Sequence, residues 1–224
     1  SLHPNNPNKS WTFMRGKFIT IEGTEGVGKT TNIEFIKQWL SNKSIPFVNT
    51  REPGGTPLAE EIRQLLLANR DEAVCSTAEL LMMFAGRAQH IEQLIEPQLA
   101  SGHWVLCDRF TDATYAYQGA GRQMGNQLIS TLETMVQGEM RTDLTLILDI
   151  SVEQGLERAG QRSEPDRFEL EQTDFFNRVR QAYLAMANDQ PQRYKIIDAS
   201  LPLAEVQQQI SDVLEQFMQQ QKKA

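Results

Sequence analysis

The run GTEGVGKT (23–30) fits the spacing G-x-x-x-x-G-K-[ST], and each residue type in it has a use in holding phosphates. Gly23, Gly26 and Gly28 let successive backbone N–H groups converge on an anion, with Thr24, Glu25 and Val27 between them. Lys29 reaches toward β- and γ-phosphates, and the Thr30 hydroxyl suits Mg²⁺. Thr31 continues into a helix whose positive N-terminal end adds to the attraction. The chemistry implied is nucleoside triphosphate binding, with the phosphates and Mg²⁺ held by residues 23–31. Glu25 is the anomaly, a carboxylate inside an anion-binding loop. Read alone, it is a solvated loop charge.

A triphosphate site can serve a GTPase switch, a motor or a kinase. No aspartate in the chain is followed three residues later by glycine, and NKSI (42–45) is not the N-K-x-D that reads guanine. A motor needs a larger chain and coupling partners. A small phosphoryl-transfer enzyme with a second substrate remains, and such an enzyme needs cations for an acceptor phosphate and a surface for its base. Three patches offer these. Arg51 in TREPGG follows a strand pattern, Asp108 and Arg109 end another, and in MMFAGR Met83 and Phe84 share a helix face with Arg87. Asp108 organises Mg²⁺ or the reacting phosphates on this reading, or else caps the next helix. Phe84 is a candidate for either base stacking or core packing.

These residues require a scaffold that brings strand ends together. Short β-rich runs at 17–22, 47–50, 104–108, 144–149 and 194–198 alternate with helical patterns. Helices are expected over 29–41, 57–69 and 77–100, the last kinking or breaking at Pro97, and from Leu203 onward. Strands separated by helices mean βαβ units, hence an α/β fold with a five-stranded parallel sheet and helices on both faces. Residues 157–172, with Arg158, Arg162 and Arg167, break the apolar pattern and read as an exposed, mobile segment. Residues 1–14 read as a disordered extension or expression remnant with Met14 a plausible start, leaving one domain over 15–224.

The 224 residues, 40% hydrophobic, suffice for one sizeable core. A net charge of −7 argues against nucleic-acid and membrane-surface binding. Cys75 and Cys107 share no metal spacing, and Cys107 closes an apolar run as a core residue would. A reducing cytoplasm is the expected setting.

The chain resembles thymidylate kinases of the bacterial type. The resemblance rests on E-G-x-E-G-x-G-K-T-T (22–31), T-R-E-P-G-G-T (50–56), the helix ending in Arg87, D-R-F (108–110), A-Y-Q-G-x-G-R (116–122) and D-R-F-E (166–169), in family order from about Arg15 onward. It implies a phosphate-loop NTPase fold of three layers with a small lid over 157–172, a homodimer, and transfer of the ATP γ-phosphoryl group to dTMP with Mg²⁺ on Thr30 and Asp108. It further implies that Arg51 and Arg109 hold the dTMP phosphate and Arg87 reads a thymine carbonyl. Thr114 and Gln118 then flank the base edge, and Tyr117 packs on the deoxyribose. Arg158 lies near the adenine or phosphates, and Arg162 reaches the transferred group. Glu25 faces the acceptor sugar and phosphate. Many relatives stack phenylalanine on thymine where this chain has Met83, so Met83 and Phe84 both stay open for that role. Relatives with an arginine in the phosphate loop differ from this chain, which has Gly26 there, and a lid arginine compensates.

Overall fold

Five strands form one all-parallel sheet in the computed structural model, which describes residues 14–160 and 164–222. The strands are β1 (Phe18–Glu22), β2 (Phe47–Arg51), β3 (Trp104–Asp108), β4 (Leu144–Asp149) and β5 (Tyr194–Asp198), in the order β2-β3-β1-β4-β5. Each lies within one residue of its expected span. The N-terminal extension up to residue 13 and Arg162 lie outside the described residues.

Burial on both faces explains why the strands read as continuous apolar runs. On one face Ile19, Ile21, Leu106 and Leu146 pack under α1 (Lys29–Asn42) and α9 (Leu203–Gln221). On the other, Phe18, Val105 and Cys107 meet Ile95 and Leu99. Ile147 there meets Phe176 and Val179 of α8 (Thr173–Asp189). Helices therefore cover both faces, as expected. Among the described residues no helix is long and apolar enough to cross a membrane.

Pairing register sets up the site. Ile21 and Arg51 both pair with Asp108, so β1, β2 and β3 end level. The chain leaves β1 for β2 and β3 on one side and returns to β4 on the other. That reversal opens a crevice at the carboxyl end of β1.

Three expectations need correction. The long helix does not break at Pro97. Helix α3 (Ser76–His90) widens into a π-helical turn at Ile91–Ile95, and α4 (Glu96–Ala100) carries the proline in its first turn. The proline ring excludes the carbonyl four residues earlier, and the wider turn absorbs that misfit upstream. Residues 157–172 are not uniformly exposed either: 157–159 belong to α7 (Val152–Ala159), and Phe168 is buried against α8. Finally, α6 (Gln127–Gln137) and α8 were not anticipated, although Phe175, Phe176, Val179, Tyr183 and Ala187 recur at helical spacing. Two shorter helices complete the frame, α2 (Pro57–Leu67), capped by Thr56, and α5 (Thr111–Thr114), which runs into a π-helical turn at Tyr115–Gly121.

Candidate active site

The phosphate loop enters α1 through Gly28 at φ +89°, with no side-chain cap on the helix. The first-turn N–H groups thus remain available to an anion. Gly26, at φ +74°, packs backbone to backbone on α7. A Cβ at Gly26 would lie 1.9 Å from the Gly155 carbonyl oxygen, and one at Gly155 would lie 2.5 Å from that of Glu25. No side chain fits at position 26, so an arginine there is sterically excluded.

Beside the loop stands Arg109, held in the left-handed region at φ +65°. Its N–H bonds the Ile21 carbonyl at 3.0 Å. Nη2 donates to the Gly23 carbonyl at 3.1 Å, Glu25 Oε1 at 2.8 Å and Tyr117 Oη at 2.9 Å. The guanidinium lies 4.9 Å from the Tyr117 ring centre. Burial opposes ionisation of Glu25, but Arg109 and Lys29, with hydrogen bonds from Arg109 and Tyr117, override it and hold the carboxyl at about 2. Burial and the nearby Arg109 push the Lys29 ammonium below its ordinary value, against the pull of Asp108 and Glu25. Lys29 Nζ lies 3.9 Å from Asp108 Oδ1, which is buried and has no hydrogen-bond partner among the described residues.

These groups form one wall of a cavity of about 220 Å³. Met83, Arg87, Thr114, Tyr117 and Gln118 form another. Of the two candidates for the base, Met83 faces the cavity. Phe84 is buried with Leu80 and Ile129, under the Arg87 guanidinium at 4.8 Å. Arg51 does not join this cavity. It pairs with Glu60 at 2.8 Å and lines a neighbouring hollow with Thr30 and Asp108. Across the phosphate loop, Arg158 donates to the Ala199 carbonyl at 3.1 Å and borders a third hollow with Val27, Gly28 and Thr31. The loop therefore separates two recesses, one on the Arg158 side and one on the Arg109 side.

The thymidylate kinase family model matches residues 21–210. The chain belongs to the thymidylate kinase family. It is 58% identical over 205 residues to the thymidylate kinase of Teredinibacter turnerae, covering 92% of this chain and 100% of that one. It is likewise 58% identical over 201 residues to the thymidylate kinase of Pseudomonas entomophila, covering 90% and 96%. The crystal structure of thymidylate kinase from Ehrlichia chaffeensis superposes with a TM-score of 0.73 at 32% identity, covering 90% of this chain and 99% of that one.

In and around this cavity of the thymidylate kinase fold stand residues to which the motif reading gave no role. Glu52 accepts from Arg87 Nε at 2.7 Å and bonds His90 Nδ1 at 2.9 Å, while His90 Nε2 bonds Thr50 Oγ1 at 2.7 Å. The Arg87 guanidinium is thereby anchored through one edge, and its Nη1 is buried without a partner among the described residues. Arg63, Phe168 and Glu169 also line the cavity. Glu22, fully buried, accepts from Phe110 N–H at 2.8 Å and Tyr183 Oη at 2.7 Å. It holds the turn that presents Arg109. Burial first, then Asp112, pushes its carboxyl up to about 8. The sequence signal for Glu22 and Glu52 was their position at a strand end or in the loop just beyond it.

Proposed function

We propose that this chain transfers the γ-phosphoryl group of ATP to dTMP, giving dTDP and ADP and so feeding dTTP synthesis. The observation that carries this reading is the cavity beside the phosphate loop. Lys29, Arg109 and Arg87 all line it, and Arg87 Nη1 has no hydrogen-bond partner among the described residues, a donor suited to a base carbonyl. An acceptor with a phosphate at one end and an oxo-base at the other matches both.

The acceptor phosphate is largely ionised at neutral pH, so positioning and charge neutralisation carry the reaction. Lys29 and the α1 N-terminus hold the donor phosphates, with adenine on the Arg158 side. Arg109 holds the acceptor phosphate. Glu25, ionised above about 2, keeps the Arg109 guanidinium aimed across the loop. Thr30 and Asp108 are the residues to hold Mg²⁺; the orphaned Asp108 Oδ1 beside Lys29 fits that role. Mg²⁺, when bound, neutralises phosphate charge. Met83 covers the base and Tyr117 the sugar, while Arg51 is released from Glu60 to join Arg109. Arg162, from a lid over 157–172, stabilises the transferred group.

The chain from Arg15 onward acts as one catalytic domain in the cytoplasm, in keeping with its two free cysteines. It works as a homodimer. Leu58 and Leu65 on α2, Leu81 on α3, and Leu128 and Met135 on α6 are exposed apolar residues on three helices of which α3 contacts the other two.

The deciding experiment is ADP release coupled to a reporter, with dTMP, dUMP, UMP, AMP and thymidine compared as acceptors. dTMP is expected to give the highest kcat/KM and thymidine no turnover. Turnover of thymidine, or preference for AMP, would overturn the proposal.

A further inference from the structure

Glu79 is fully buried on α3, and it is not among the residues that line the acceptor cavity. It nevertheless gathers three side chains from elsewhere in the chain. Gln118 Nε2 donates to its Oε1 at 2.7 Å. Arg122 donates to Oε1 at 3.1 Å and to Oε2 at 3.3 Å. Arg167 Nη2 lies 2.7 Å from Oε2 as an ion pair outside hydrogen-bonding geometry.

A carboxylate flanked by two guanidinium groups accepts hydrogen bonds and donates none. It therefore dictates which end of the Gln118 amide it meets. With Nε2 committed to Glu79, the amide atom that Gln118 offers to the cavity it lines is the carbonyl Oε1. Arg87 lines the same cavity, and its Nη1 is a donor with no hydrogen-bond partner among the described residues. The cavity thus presents one acceptor and one donor. A pyrimidine with a 4-oxo group and an N3–H complements that pair. A 4-amino pyrimidine, whose N3 accepts and whose amino group donates, opposes it at both positions.

We infer that Glu79 is a positioning residue for base specificity: by fixing the polarity of the Gln118 amide it makes the site select a 4-oxo over a 4-amino pyrimidine monophosphate. The inference rests on the acceptor reading above. An arginine pair alone would need a carboxylate at this position, but it would not need that carboxylate to reach Gln118.

The test compares dTMP with 5-methyl-dCMP, which differ only at position 4 and N3, by titration calorimetry on the full chain. In Glu79→Gln the new amide NH₂ donates to Gln118 and turns its amide round. The dTMP to 5-methyl-dCMP affinity ratio is then expected to fall by about tenfold or more, the scale of one reversed hydrogen bond. Arg122→Gln keeps the Glu79–Gln118 bond and is expected to keep the wild-type ratio. Equal loss of both ligands in Glu79→Gln assigns Glu79 to packing alone and overturns the inference. A wild-type chain that binds neither nucleotide overturns the acceptor reading, and the inference with it. A second measurement needs no variant of Glu79. The Gln118 side-chain NH₂ resonances of the wild-type protein, identified by their loss in Gln118→Leu, are expected to stay protected from exchange and little shifted when dTMP binds. A large shift on binding shows the NH₂ group facing the base and overturns the inference.

Discussion

Glu25 and Glu22 lie three positions apart in sequence and hold different partners. Glu25 points across the loop to Arg109, and its removal leaves a partly buried guanidinium short of a partner. Such a loss is worth about 1–3 kcal/mol. Glu25→Ala is therefore expected to raise the KM for dTMP about tenfold or more while changing that for ATP far less; steady-state kinetics with each substrate varied in turn would reject this role if both rose equally. The two carboxyls also act oppositely on stability. Glu25, held at about 2 against an ordinary 4.5, contributes stability that is present above 4.5 and lost as pH falls toward 2. Glu22 is raised from 4.5 to about 8, so between those values the folded chain binds more protons than the unfolded chain, and stability falls as pH rises. Glu22→Gln is expected to flatten that decline. The Tm difference between variant and wild type, followed by scanning calorimetry, should move in favour of the variant from pH 5 to pH 8. A constant difference would remove Glu22 from the account.

At the scale of elements, the contact between the phosphate loop and α7 is the most demanding. Alanine for glycine in a helix ordinarily gains about 1 kcal/mol. At Gly155 the added Cβ would press on the Glu25 carbonyl at 2.5 Å, so Gly155→Ala is expected to lower both Tm and ATP affinity. A higher Tm with unchanged ATP binding would show that the loop gives way freely. The sheet was legible because doubly buried parallel strands are continuous apolar runs that need no partner to be recognised. The π-helical turn at Ile91–Ile95 was not, because Pro97 announces a misfit without saying which upstream turn absorbs it. Helix α8 carried a readable period, but its apolar face is aromatic-rich and follows a charged segment that masks its start.

For the whole molecule, the exposed apolar residues of α2, α3 and α6 predict association. Leu81 is 52% exposed and Met135 75%, more than isolated surface positions require. On the proposed homodimer, the wild type is expected to sediment as a dimer and the double variant Leu81→Glu, Met135→Glu as a monomer. An unchanged mass would place the interface elsewhere. Cavity-lining residues supplied by contiguous motifs, such as Lys29, Asp108 and Arg109, were readable directly. Residues defined by distant contacts were not: Glu79 meets Gln118 across 39 positions, and Glu22 meets Tyr183 across 161. Arg51 shows the converse. Its motif is plain, yet its side chain turns to Glu60, nine positions on, a competition that no local pattern announces.

The π-helical turn at Tyr115–Gly121 carries both Tyr117 and Gln118. Such a turn holds one residue more than an α-helical turn, so it is equivalent to a one-residue insertion. Deleting Ala120 would let the segment close as ordinary helix, so the flanks would keep their alignment while the residues within the turn change direction. The sheet would be untouched, but the side chains that line the cavity could not all keep their places. This part of the cavity lining is thus a feature that a single in-frame codon loss can erase, and substitutions along the turn should be tolerated far better than changes in its length.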